Sequence, residues 1–133
     1  MSALEETIAG LKYDADGLIP AVCVDHKTGQ VLMVAYMNKD SILDTVRTGR
    51  THFWSRSRGK MWIKGESSEH LQEVRAIYAD CDLDALLIEV AQHGGACHNG
   101  YRSCFYRRLG AEGGWEVIAE KVFDPEEAYR KGT

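Results

Sequence analysis

Residues 18–24 (LIPAVCV) and 31–36 (VLMVAY) decide the fold. Both are short apolar runs, and Asp25-His26-Lys27-Thr28-Gly29 separates them. Thr28-Gly29 is turn chemistry, so the pair reads as a β-hairpin. Working outward, residues 1–16 are polar and are expected to form a short helix and a loop. Asn38 has the character of a helix N-cap; Ile42, Leu43 and Val46 follow at helical spacing, and Gly49 sits where a helix ends. Residues 51–54 and 61–64 read as strands around the turn Ser57-Arg58-Gly59-Lys60, and residues 71–79 as another. Residues 85–92 (ALLIEVAQ) have the composition of a strand with neighbours on both sides. Residues 103–109 and 115–123 complete the pattern around Gly113-Gly114, and Asp124-Pro125 opens a short terminal helix. The expected fold is mainly β with a few short helices (β-rich α+β), a compact single domain over residues 1–133.

Bulk composition agrees. The 133 residues are 44% hydrophobic and 27% charged, the balance of a globular protein. A net charge of −4 argues against a general nucleic-acid binder. No apolar run is long enough to span a bilayer, and the N-terminus lacks the pattern of a signal peptide. A cytoplasmic location is expected, where four cysteines are thiols or metal ligands rather than disulfides.

Chemistry concentrates in residues 80–104, which hold Asp80-Cys81-Asp82-Leu83-Asp84 and Cys97-His98-Asn99-Gly100-Tyr101-Arg102-Ser103-Cys104. Carboxylate oxygen suits hard Mg²⁺ and thiolate suits soft Zn²⁺, so the span is equipped for two different metals. In an extended segment Asp80, Asp82 and Asp84 would share one face and Cys81 the other; in a tight loop they would converge differently. Three thiolates would leave one of zinc's four positions open, as in catalytic sites. Taken alone, an Asp-x-Asp-x-Asp run is a solvated turn and a buried free cysteine is ordinary core. Cys23, between apolar neighbours, is assigned to the core on that ground. The combination of thiols, carboxylates and His98 favours metals.

Residues 45–65 contain no acidic residue but hold Arg47, Arg50, Arg56, Arg58, Lys60 and Lys64, with His52, Phe53, Trp54 and Trp62 among them. Arginine and lysine bind phosphate. The tryptophans suit core packing as well as stacking. Arg56 and Arg58, flanked by serines, suit a phosphate site, with Lys64 beside them. Arg102, Arg107 and Arg108 form a second cluster near Cys104. Two cationic patches flanking a metal site suggest a small substrate with two phosphates.

Several motifs occur together in one order: GLIPAV, TGQVLMVAYMN, HFWSRSR, WIKGESSEH, DCDLDALL, and ACHNG followed by SCFY. On these, residues 17–107 resemble phosphoribosyl-AMP cyclohydrolase, an enzyme family of histidine biosynthesis. The resemblance implies a hydrolase opening the adenine ring of 1-(5-phosphoribosyl)-AMP at N1–C6. It implies zinc on Cys81, Cys97 and Cys104, shared across an intertwined homodimer, and magnesium on Asp80, Asp82 and Asp84. It further implies a chain with this one activity, without a fused pyrophosphohydrolase. Two departures stand out. Glu69 occupies a position where the family often has glycine, and His93-Gly94-Gly95 is unusual before Ala96-Cys97.

Thiolate-bound zinc would activate water near neutral pH for attack at C6, with magnesium orienting the substrate. His98 is the first candidate for the general acid/base and His52 the second; either has an alternative as a packed or ligand-supporting residue, and His26 and His70 are left without a role. The substrate-binding candidates are Arg56, Arg58, Lys64 and Arg102. Rival readings are a zinc nucleotide deaminase, whose H-x-E and P-C-x-x-C motifs are absent, and a zinc-stabilised nucleic-acid-binding module.

Overall fold

The computed structural model describes residues 2–127. Its elements in chain order are α1 (Ala3–Ala9), β1 (Ile19–Asp25), β2 (Val31–Met37), α2 (Lys39–Thr48), β3 (His52–Ser55), β4 (Lys60–Ile63), β5 (Gln72–Ala79), β6 (Leu86–Gln92), β7 (Arg107–Leu109) and β8 (Trp115–Val117). The hairpin is present as read: Asp25 donates its N–H to the Gln30 carbonyl, and Gly29 donates back to Asp25. Asn38 caps α2 in a reciprocal box with Ser41, each side chain accepting from the other's backbone N–H. Gly49 ends that helix at φ 75°, a left-handed conformation that costs glycine little.

Six strands form one sheet in the order β4-β3-β2-β1-β6-β5. Only β1 and β6 pair in parallel. The chain leaves β4 at one edge and re-enters as β5 at the other. The two edges are drawn together at one end, because Arg50 bridges Glu73 and Val74 donates to the Gly49 carbonyl. The sheet therefore curls around its core. Ile19, Ala21, Cys23, Met37, Phe53, Ile88 and Val90 line the inside, with Ile8 of α1 and Ile42 of α2. Burying these side chains stabilises each by about 1.5–3 kcal/mol. The buried amide of Gln72 accepts from Thr51 Oγ1 at 2.9 Å and donates to Gln92 Oε1 at 2.8 Å, joining β3, β5 and β6. The expected class, mainly β with few short helices, is what folds.

Two expectations change. Residues 103–109 and 115–123 were expected as long strands, yet β7 and β8 are three residues each. Cys104 instead donates its N–H to the Leu32 carbonyl of β2, and Val122 donates to the Gly100 carbonyl. Trp115 is 67% exposed, and Val117, Ile118 and Val122 are more than half exposed. At the terminal helix, Glu126 N–H donates to Asp124 Oδ1 at 3.0 Å, as its cap predicts. The continuation beyond residue 127 lies outside the described residues.

Candidate active site

The site is distributed over the two ends of β6. At its start, residues 80–84 form a turn and not an extended strand. Leu83 donates to the Asp80 carbonyl, and Asp80 N–H to the Ala85 carbonyl, both at 3.1 Å. Leu83 adopts φ 61° to close this turn. The alternation of faces expected for an extended segment therefore does not apply; the turn gathers the carboxylates. Asp84 N–H donates to Asp80 Oδ1 at 3.0 Å, and the two carboxyls share a hydrogen bond. That contact raises the Asp84 pKa, while the Asp84 N–H holds Asp80 low. Two carboxyls close enough to share a proton are a donor set that a hard cation would suit.

At the far end of β6, residues 93–104 fold into a closed loop. Ala96 and Cys97 donate to the carbonyls of Arg102 and Tyr101, and Gly100 donates to Cys97. The loop is locked from several sides. A Cβ on Gly94 would lie 2.6 Å from the His70 ring, and one on Gly95 would lie 2.7 Å from the Phe123 ring. Glycine is thus required by packing at the unusual His93-Gly94-Gly95 sequence. Arg102 ion-pairs with the buried Asp25 at 3.0 Å and reaches the Gly94 carbonyl at 3.3 Å. Asp25 also accepts from Thr28 and Lys27 at the hairpin turn. Burial pushes this carboxyl up, but the Thr28 hydrogen bonds and Arg102 outweigh it and leave the pKa low.

This architecture sets Cys97 and Cys104 side by side. Cys97 is buried, and its sulfur accepts the Asn99 N–H at 3.5 Å. Partial burial and then the neighbouring Cys97 push the Cys104 thiol up to about 11, with Lys64 pulling the other way. Cys23 is core, as expected; burial pushes its thiol up to about 12. Cys81 lies in the turn before β6, at its opposite end. Seven residues of strand separate the ends, roughly 20 Å at about 3.3 Å per residue. Among the described residues, no three His, Cys, Asp or Glu side chains are grouped to hold a metal. One chain thus offers two sulfurs at one end of β6 and a third at the other.

A cavity of about 230 Å³ is lined by Arg58, Trp62, Lys64, Ser67, Ser68 and His98, among others, and meets the sulfur loop at His98; neither Cys97 nor Cys104 lines it. Three of the expected residues therefore meet: Arg58, Lys64 and His98. Others lie elsewhere. His52 is buried in β3 and does not line this cavity, its Nδ1 2.9 Å from the Arg50 carbonyl. Arg56 stacks over the Tyr36 ring at 3.9 Å, and Arg102 is engaged with Asp25. Ser67 and Ser68 belong to the WIKGESSEH motif without a site role assigned to them from the sequence; packing beside Lys64 brings them to the cavity.

The family model for phosphoribosyl-AMP cyclohydrolase matches residues 33–106, more than half of the chain, and that span includes both ends of β6. The chain belongs to the phosphoribosyl-AMP cyclohydrolase family. Relatives of that name are similar over nearly their whole length. The one from Methanococcoides burtonii is 54% identical over 119 residues, 90% of this chain and 95% of its own. That from Pelotomaculum thermopropionicum is 53% identical, covering 91% and 94%. A third, from Methanosarcina barkeri, is 59% identical, covering 86% and 85%. Glu69 stands where the cyclohydrolase resemblance leads one to expect glycine, and its backbone adopts φ 66°.

Proposed function

We infer that this chain is a hydrolase of histidine biosynthesis acting as its phosphoribosyl-AMP cyclohydrolase relatives are named to act. The observation that carries the reading is the cavity lined by Arg58, Lys64 and His98, which His98 and the Lys64–Ala96 hydrogen bond join to the loop bearing Cys97. The substrate's N1 carries a ribosyl group, which leaves the neighbouring C6 electron-poor. Water attacks C6, the N1–C6 bond breaks, N1 takes up a proton, and the water oxygen becomes that of a carboxamide. The ring opens to a formimino-linked aminoimidazole carboxamide.

The residues fit two metals on the chemistry of their donors. Cys97 and Cys104 of one copy with the partner subunit's Cys81 would hold zinc; Asp80, Asp82 and Asp84 would hold magnesium. Zinc, when bound, supplies the Lewis acidity that makes water nucleophilic near neutral pH. His98 lines the cavity next to Cys97 and is placed to move the proton between water and N1. Arg58 grips a phosphate from the cavity wall. Arg102 holds the sulfur loop on Asp25, with any phosphate contact made from its exposed edge. Arg56 would reach a substrate only by leaving Tyr36, and His52 acts as a packed residue supporting β3.

The same geometry supports a homodimer. A row of apolar side chains crosses the outer face of the sheet in register: Val34 pairs with Val22, Val22 with Leu87, and Leu87 with Tyr78. Val34 and Tyr78 are 50% exposed and Leu87 39%. A two-fold axis perpendicular to β6, passing between two such faces, reverses the strand. It would bring each turn at residues 80–84 to the partner's sulfur loop. No helix among the described residues is long and apolar enough to cross a membrane.

Two experiments test this. Ring opening of the phosphoribosylated nucleotide is followed by ultraviolet absorbance on protein of measured zinc content. Turnover that a chelator abolishes and zinc restores is expected; ammonia release without ring opening would favour the deaminase. Second, C81S and C97S proteins, each inactive, are mixed and allowed to exchange subunits. Random pairing gives half heterodimers with one intact site of two, so about a quarter of wild-type activity should return. No recovery with proven exchange would exclude a shared site.

A further inference from the structure

Lys64 is out of place by the ordinary rules for lysine. It follows directly on β4, and its N–H donates to the Thr51 carbonyl at 3.1 Å. Its side chain turns inward, leaving the residue 9% exposed. The ammonium donates to the carbonyl of Ala96, the residue before Cys97. Among the described residues, no carboxylate lies within ion-pair distance of it. Burying an ammonium without an anion is costly. Burial lowers its pKa, and the groups that oppose this are, in order, the sulfurs of Cys104, Cys97 and Cys23. Cys23 lies in the core, whereas Ala96, whose carbonyl the ammonium holds, directly precedes Cys97 in the loop that also carries Cys104.

We propose that Lys64 is the positioning residue of the sulfur site, a buried cation that fixes the loop before Cys97 through the Ala96 carbonyl and offsets the negative charge of a zinc–thiolate centre. It rests on the reading of those sulfurs as zinc ligands. Three thiolates around a dication leave one net negative charge, and an ammonium buried beside them neutralises it. Lys64 acts through the sulfurs, and its place on the cavity wall follows from where the sulfurs are.

Three variants of the full-length protein separate charge from packing. K64M removes charge and donor, K64Q keeps a donor without the charge, and K64R keeps the charge. Zinc affinity is measured by competition with a chromophoric chelator, and melting is measured on zinc-free protein. K64M and K64Q should each bind zinc about 10–100-fold more weakly than wild type, with K64R recovering most of the loss. Zinc-free K64M should melt no lower than zinc-free wild type, since an apolar side chain replaces a buried charge. Wild-type zinc affinity in K64M and K64Q, while C97S/C104S binds none, would overturn the role of Lys64 alone. Zinc-free K64M that fails to fold would also overturn it, making Lys64 a scaffold residue. Equal zinc binding by wild type and C97S/C104S would instead remove the sulfur-site reading on which it stands.

Discussion

The two ends of β6 are built on opposite principles. The turn at residues 80–84 is local: a few consecutive residues, closed by their own backbone hydrogen bonds, present exposed carboxylates to water. The loop at residues 93–104 is assembled from a distance. Asp25, Val31, Leu32, Lys64 and His70 all hold it, and each belongs to another part of the chain. Hard oxygen ligands work from a pliable, solvated turn, because magnesium keeps several of its waters. Soft thiolates need a fixed geometry and a compensating charge, which only packed surroundings supply. The difference accounts for which substitutions should be severe.

The largest effect is expected at the buried end. C97S or C104S should abolish zinc uptake and lower turnover by more than the ~100-fold typical of residues that only support a ligand. Metal analysis with the ring-opening assay checks this; zinc retained by either variant would break the contrast. Next is D25A, which removes the common acceptor of the hairpin turn and the anchor of Arg102. It should cost about 2–3 kcal/mol in urea unfolding at neutral pH. The folded Asp25 pKa is depressed, so its contribution is full above the ordinary carboxylate pKa of about 3.9 and fades as pH falls through the folded value. The gap between D25A and wild type should therefore narrow in acid; a gap that widens there would contradict the assignment.

At the exposed end the effects should be smaller. D84N removes one of the two carboxyls that share a hydrogen bond. It should raise the magnesium needed for half-maximal activity by roughly tenfold while leaving zinc content unchanged. A magnesium response identical to wild type would show that Asp84 binds no cation. The smallest change is E69G. The φ of 66° at Glu69 is strained for any residue with a Cβ, so glycine should stabilise the protein by about 1 kcal/mol or less. Thermal melting that falls instead would mean the Glu69 side chain contributes a contact outweighing its backbone strain.

The sequence by itself determined the hairpin, the capped helix α2, the strands through β6 and the thiol and carboxylate donors of the candidate site. Each of these is written in residues close together in the chain: Thr28-Gly29 at a turn, Asn38 and Gly49 at helix ends, thiols and carboxylates within one short span. Only the tertiary structure decided that residues 80–84 turn back on themselves, because Leu83 accepts a left-handed backbone that no pattern of side chains announces. It alone placed Cys81 and the sulfur pair at opposite ends of a strand, buried Lys64 against Ala96 and fixed Arg102 on Asp25. The β4-to-β5 crossing from one sheet edge to the other brings those groups into place. Hydrophobic periodicity tells which face of a strand is buried but not which strand lies beside it, and at this site the neighbouring strand decides the chemistry.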